Sequence, residues 1–204
     1  MLRLIEKDIL FNWKWALLLV LIAVLMPLAF ALDRGETRLI LFVYIIGSVL
    51  ANSHFVSRSC YLDDGAQTRR FLASLPVRPS DIVAAKYLLG VVCMAVSILL
   101  TTLASLALGL HPSFRGALIA AVSLLMYYAV FLGVFFRADY NRAEKAHTAL
   151  MMLTVLSAFV MDRSGLRLDE VAVSPAVLLA GPGAGAVAFA ASMTLSMRAQ
   201  GRDG

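Results

Sequence analysis

Six long apolar runs, separated by short polar segments, set the pattern of the chain. Most of them approach the ~20 residues that a helix needs to cross the ~30 Å hydrocarbon core of a bilayer. None contains Asp, Glu, Lys or Arg, which stay at the ends of the runs or beyond them. The fifth run is short, so its full crossing stays open. The pattern predicts one all-α, polytopic membrane domain over residues 1–204, with spans at 15–32, 39–56, 87–110, 116–136, 147–161 and 175–197.

The N-terminal segment, residues 1–14, has a helical pattern of its own. Leu2, Ile5, Ile9 and Trp13 recur at steps of three or four residues, and basic residues occupy other positions. This spacing predicts an amphipathic helix that lies at the membrane surface. A plain cytoplasmic tail is the alternative.

The longest polar interruption, residues 57–86, is predicted to form a short amphipathic helix, a turn and the start of the third span. Pro76 ends the first helix, and the sequence at 79–81, Pro-Ser-Asp, is typical of a new helix N-terminus. The apolar residues that share one face of the first helix are Phe71, Leu72 and Leu75.

Composition and charge place this interruption on the cytoplasmic side. The chain is 61% hydrophobic and 15% charged, whereas soluble domains carry about 25% charged residues. Of the 18 Lys and Arg residues, 13 lie in the termini, in 57–86 and in the fourth connection. Because basic residues stay cytoplasmic, both termini are predicted to face the cytoplasm. The net charge of +5 is read as a topology signal, and no nucleic-acid partner is predicted.

The residues that could carry chemistry do not form a known active site. The three histidines are scattered in sequence, and neither a Gly-x-Ser-x-Gly elbow nor a phosphate-binding Gly-x-x-x-x-Gly-Lys loop occurs. No catalytic, metal or cofactor site is therefore predicted. Asp63 and Asp64 are predicted to be turn and helix-cap residues, since an acidic side chain favours the N-terminus of a following helix. The absence of charges inside the spans disfavours an ion-coupled transporter, so energy is expected to come from a partner.

The interruption resembles the cytoplasmic loop of stand-alone permease subunits of bacterial type 2 ABC transporters. The shared pattern is an acidic-glycine turn at 63–65, a Leu-x-Ser-Leu-Pro core at 72–76, Asp-Ile-Val at 81–83 and Lys-Tyr at 86–87. Pro79 departs from the polar or basic residue usual at its position. The layout of six spans with cytoplasmic termini is similar across the whole chain.

The resemblance implies a permease of an ATP-driven exporter in the bacterial inner membrane, moving a lipid, peptide or drug-like substrate. The expected partners are membrane lipid, a separate cytoplasmic ABC ATPase that binds ATP and Mg, and a second permease in a homodimer or heterodimer. A membrane sensor or assembly partner without transport activity is the alternative. The residues expected to couple to the ATPase are Arg69, Arg70, Phe71, Leu72, Ser74, Leu75, Pro76, Arg78 and Asp81. The alternative for this face is a linker on the bilayer surface, with its arginines on lipid phosphates.

Two stripes of small residues predict helix packing or, alternatively, a passage. One lies in the third span and one in the sixth. Residues 163–175, between the last two spans, are an exterior segment where the resemblance implies a short re-entrant helix. The stripes comprise Ser97, Thr101, Ser105 and Gly109 in the third span, and Gly181 and Gly185 in the sixth.

Overall fold

The described part of the chain is almost entirely helical. The computed structural model describes residues 2–32, 48–65, 68, 74, 76–110, 114–164 and 175–200. Within those residues there are seven α-helices and no strand, so the all-α prediction is confirmed. The helices are α1 (Leu2–Phe11), α2 (Trp13–Leu32), α3 (Val49–Asp64), α4 (Pro79–Ala107), α5 (Phe114–Arg137), α6 (Tyr140–Ser164) and α7 (Pro175–Gln200).

Fewer membrane spans are recognisable than the six predicted. Among the described residues, α4 and α5 are each long and apolar enough to cross a bilayer. A third span is present if α1 and α2, which meet at a bend of 80°, are counted as one broken span. The first half of the predicted second span, 39–47, lies outside the described residues, as does most of the predicted exterior segment. Six spans therefore remain a prediction.

Asn12 makes the bend between α1 and α2. Its backbone N–H and its side-chain Nδ2 both donate to the carbonyl oxygen of Asp8, at 3.1 and 3.0 Å, and so close the first helix. Its own carbonyl accepts from Trp15 and Ala16, at 2.8 and 2.9 Å, and so begins the second. The predicted N-terminal helix therefore exists but ends at Phe11, before residue 14.

Both ends of α4 follow from local sequence. Arg78 is extended, Pro79 occupies the first helical position, and the N–H of Asp81 donates to the Arg78 carbonyl at 2.9 Å. This confirms the predicted helix start, although the helix thus extends well ahead of the span predicted from residue 87. At the other end Gly109 has a φ of 71°, a left-handed conformation that glycine adopts without strain.

The core of the molecule lies around α5, which packs against α4, α6 and α7. Its side chains Leu124, Tyr128 and Phe131 are fully buried. Close helix contact depends on glycine at two points. A Cβ at Gly90 of α4 would lie 3.1 Å from the Tyr128 ring, and one at Gly133 of α5 would lie 2.6 Å from an Oγ atom on α7.

Candidate functional site

Four charged side chains meet where three helices converge at the base of the 57–86 loop. Helix α1 contributes Lys7 and Asp8, the last turn of α3 contributes Asp63, and the beginning of α4 contributes Lys86. We call these four residues the charged cluster. Their meeting joins the two helical stems of the loop to each other and to the N-terminal helix.

The ion pairs of the charged cluster form a closed arrangement. The Nζ atom of Lys86 lies 2.7 Å from Oδ2 of Asp8 and 2.6 Å from Oδ2 of Asp63. The Nζ atom of Lys7 lies 2.8 Å from Oδ1 of Asp63 and 3.2 Å from Oδ1 of Asp8. Each lysine thus contacts both carboxylates, and two positive charges balance two negative ones.

Three of these charged groups are shielded from solvent. Lys86 is 2% exposed, Asp8 4% and Asp63 8%. The Lys86 ammonium also donates to both the hydroxyl and the carbonyl oxygen of Ser59, at 2.5 and 3.3 Å. Buried charges require this kind of pairing, because an unpaired ion in a low-dielectric interior is strongly disfavoured.

The electrostatics of Asp63 show that the pairing outweighs the burial. Burial alone would raise the pKa of its carboxyl group, but the attraction of Lys86 and the hydrogen bond from Lys7 act in the opposite direction. The net result is a pKa below the ordinary value, so the carboxylate is held in its ionised form. Asp63 is therefore a fixed charge that stabilises its two lysine partners.

This geometry corrects the prediction for Asp63. It was expected to cap the helix after it, but it lies within the last turn of α3 and pairs with residues 56 and 23 positions away in sequence. A carboxylate at a helix C-terminus is unfavourable by itself, and the two lysines compensate for it. The available sequence signal lay in its partner helix. Asp8 follows Ile5 by three residues and therefore shares the face of α1 that is buried.

The predicted ATPase-coupling residues are only partly described. Ser74, Pro76 and Arg78 are exposed, and Asp81 is half-buried in the first turn of α4. The remaining members lie outside the described residues: Arg69, Arg70, Phe71, Leu72 and Leu75.

The small-residue stripes lie against neighbouring helices. Ser97, Thr101 and Ser105 are all buried on α4. Gly109, by contrast, lies in the turn after α4, with no atom within 4 Å of the place a Cβ would take. In the stripe of α7, Cβ atoms at Gly181 and Gly185 would both meet α5, with the nearest atoms at 4.0 and 3.7 Å.

Two of the histidines are closer together than their sequence positions indicate. The rings of His54 and His147 meet edge to face, with centroids 5.4 Å apart. Nδ1 of His147 is hydrogen-bonded to the hydroxyl of Tyr127 at 2.8 Å. In the part of the chain that the structure describes, no group of three or more His, Cys, Asp or Glu side chains is arranged to hold a metal ion. The contacts among His54, Tyr127 and His147 join α3, α5 and α6.

A second buried polar contact joins α4 to α7. The hydroxyl of Tyr87 lies 2.8 Å from Oγ of Ser192 and 3.2 Å from Oγ of Ser196. Ser192 also donates to the carbonyl oxygen of Ala129, on α5, at 2.5 Å. Sequence reasoning missed this contact, since serines one turn apart on an apolar helix carry no information about their partner.

Comparison with known protein families gives one match. A family described as "ABC-2 family transporter protein" matches residues 3–199, which is nearly the whole chain. Comparisons with curated proteins and with solved structures give no match.

Proposed function

We propose that this chain, which belongs to the ABC-2 family of transporter permeases, is the membrane-spanning subunit of an ATP-driven exporter. The family predicted from the loop sequence is confirmed by the match. Membership makes the chain a membrane transport subunit, distinct from the ATPase itself, and implies partnership with an ABC ATPase. The direction of transport and the coupling to ATP are the further steps of the proposal.

The charged cluster is the observation that supports coupling through the 57–86 loop. Asp63 and Lys86 stand at the two stems of this loop and contact each other at 2.6 Å. Lys86 contacts Asp8, and so connects the stems to α1. A loop held at both stems passes a push from a soluble partner to the helices, whereas a loosely held loop would absorb the movement.

Within the loop, we assign the contact with the ATPase to the apolar face of residues 71–75. Phe71 is the central anchor, because aromatic side chains seated in pockets dominate most protein–protein contacts. The arginines at 69, 70 and 78 form a polar rim around it. Arg78 is exposed, as a rim residue requires.

The remaining parts of the proposal concern assembly and placement. The exporter contains two permease subunits, alike or unlike, in the bacterial inner membrane, with both termini and the 57–86 loop in the cytoplasm. Its substrate class is a lipid, a peptide or a drug-like molecule. The excess of basic residues in the termini and in this loop supports the orientation.

Recovery of the ATPase by the tagged permease tests the coupling. Truncation of a central anchor costs about 2 kcal/mol or more, or roughly thirtyfold in affinity. Phe71→Ala is therefore expected to retain membrane insertion but to lose ATPase recovery and transport. Arg69→Ala is the matched control from the rim, with a smaller and more salt-dependent loss.

The outcome separates this proposal from the alternatives. Equal ATPase recovery by wild type and Phe71→Ala, at equal membrane levels, would show that this face does not bind the ATPase. If that variant instead loses lipid association, the face is a surface linker. Failure of the wild-type chain to recover any ABC ATPase, with normal insertion, would favour a sensor or assembly role.

A further inference from the structure

A polar contact within the apolar hairpin of α3 and α4 is separate from the charged cluster. Nδ2 of Asn52 donates to Oγ of Ser97 at 2.7 Å and to the carbonyl oxygen of Ser48, also at 2.7 Å. Oγ of Ser97 in turn donates to the carbonyl oxygen of Met94 at 3.0 Å. Both donor positions of the Asn52 amide are therefore in use, and the orientation of this amide is fixed.

The two helices of the hairpin run antiparallel. Ser59 of α3 contacts Lys86 of α4, and Asn52, nearer the start of α3, contacts Ser97, further along α4. Ser48 lies one helical turn before Asn52, and Thr101 lies one turn after Ser97, so the register places them at the same level. We call the four residues Ser48, Asn52, Ser97 and Thr101 the α3–α4 seam.

Three oxygen atoms of the α3–α4 seam are buried without a partner. They are Oγ of Ser48, Oδ1 of Asn52 and Oγ1 of Thr101, and none has a hydrogen-bond partner within the described ranges. Their residues are 0%, 0% and 1% exposed. Buried polar atoms are nearly always hydrogen-bonded, because leaving them unpaired is costly, so three on adjacent turns of one hairpin indicate a bound ligand.

We propose that the α3–α4 seam binds one water molecule. The two hydroxyl groups are donors that need an acceptor, and Oδ1 of Asn52 is an acceptor that needs a donor. A water molecule accepts from Ser48 and Thr101 and donates to Asn52, so it satisfies all three atoms at once. Buried waters typically make about three hydrogen bonds of this kind.

A monovalent cation fits this seam less well. It would use the lone pairs of all three oxygens and would leave the two hydroxyl protons without an acceptor. No carboxylate is among the seam residues, so a cation would also bring an uncompensated charge into an apolar hairpin. Ser97 and Thr101, two members of the small-residue stripe on α4, then form a water-bridged helix contact and do not line a substrate passage.

The sign of a stability change tests the proposal. Val has nearly the shape of Thr, so Thr101→Val removes mainly the hydroxyl group. With the water present, the variant loses a hydrogen bond, and the Tm of the purified chain in detergent is expected to fall by roughly 2–4 °C. Without the water, the variant removes an unpaired buried hydroxyl, and the Tm would rise. An unchanged or higher Tm therefore overturns the proposal.

Thr148→Val is the control for the exchange of Thr for Val. Its hydroxyl donates to the carbonyl oxygen of Glu144, one turn earlier in α6, at 3.0 Å, and the side chain is exposed. Its Tm is expected to stay close to that of wild type, because the loss of such a local bond at an exposed position leaves no buried polar atom without a partner. A fall equal to that of Thr101→Val would overturn the proposal, since it would reflect the exchange of Thr for Val alone.

A double variant tests whether a single ligand joins both hydroxyl groups. Ser48 and Thr101 make no direct hydrogen bond to each other. If they share one water, the combined Ser48→Ala/Thr101→Val variant should lose less Tm than the two single variants together, because the first change already loosens the water. Strict additivity would overturn the shared site.

Discussion

Lys86 is the residue whose loss best tests the charged cluster. Wild type places two ammonium groups beside two carboxylates, with Lys86 contacting Asp8 at 2.7 Å and Asp63 at 2.6 Å. Lys86→Met keeps an unbranched side chain of similar length but removes the positive charge. One lysine, Lys7, then faces two buried carboxylates, and the cluster carries an uncompensated negative charge.

The magnitude follows from burial. Removing one partner of a buried ion pair typically costs 3–5 kcal/mol in the free energy of unfolding, because the other charge is left without compensation. The 2% exposure of Lys86 places it in this class. At roughly 2–4 °C per kcal/mol for a chain of this size, the expected fall in Tm is about 6–20 °C.

Two further variants make the measurement specific. Arg142→Met removes an exposed ion pair, in which Nε lies 3.7 Å from Oδ2 of Asp139 and the arginine side chain is 73% exposed. Exposed pairs contribute about 1 kcal/mol or less, so its Tm should change little. Lys86→Met combined with Asp8→Asn leaves Lys7 and Asp63 as a neutral pair, and most of the lost stability should return.

A thiol-reactive fluorogenic dye measures these unfolding temperatures in detergent. Cys60 and Cys93 are both buried and unpaired, so they react only when the helices separate. If Lys86→Met is no less stable than Arg142→Met, the cluster does not hold the helices together. If the double variant is as unstable as the single one, charge compensation is not the reason for the loss.

Three other predictions concern pH, packing and orientation. The folded pKa of Asp63 is lowered. Its contribution to stability is therefore complete above about pH 4 and is lost only as the pH falls through the lower folded pKa. A loss of stability that begins at a higher pH in wild type and is absent in Asp63→Asn would contradict this. Gly133→Ala should lower the Tm, because its Cβ would lie 2.6 Å from Oγ of Ser192. Gly183→Ala is the control and should leave the Tm unchanged, because no atom lies within 4 Å of the added Cβ. Equal effects of the two variants would refute the close contact at Gly133. A cysteine at Gly65 should resist impermeant reagents in intact cells, and labelling there would reverse the predicted orientation.

The sequence alone determined the class of the protein and the position at which α4 begins. Apolar runs without charges require helical secondary structure in a bilayer, because backbone groups must be satisfied within each segment. Pro79 predicted the start of α4 through its fixed φ angle and missing N–H, and the helix begins there. The loop motif also identified the family, because a motif is a local property of the chain and needs no tertiary information.

The partners of the polar residues were decided only by the tertiary structure. Asp8 and Lys86 are 78 positions apart, and Tyr87 and Ser192 are 105 apart, yet each pair is in hydrogen-bond contact. Residue type and spacing describe which face of a helix a side chain occupies, but not which helix packs against that face. From the sequence alone, a charged residue near the end of a span is therefore predicted to be solvated, and only the packing of the helices shows that it is buried.

Asp63 shows the physical reason most directly. From the sequence it is an acidic residue two positions before a glycine in a polar segment, and a helix cap is the local solution for such a residue. The fold instead brings two lysines, from α1 and α4, to its two carboxylate oxygens. Local propensity is worth about 1 kcal/mol or less at this position, whereas an unpaired buried charge is worth several, so the long-range pairing prevails.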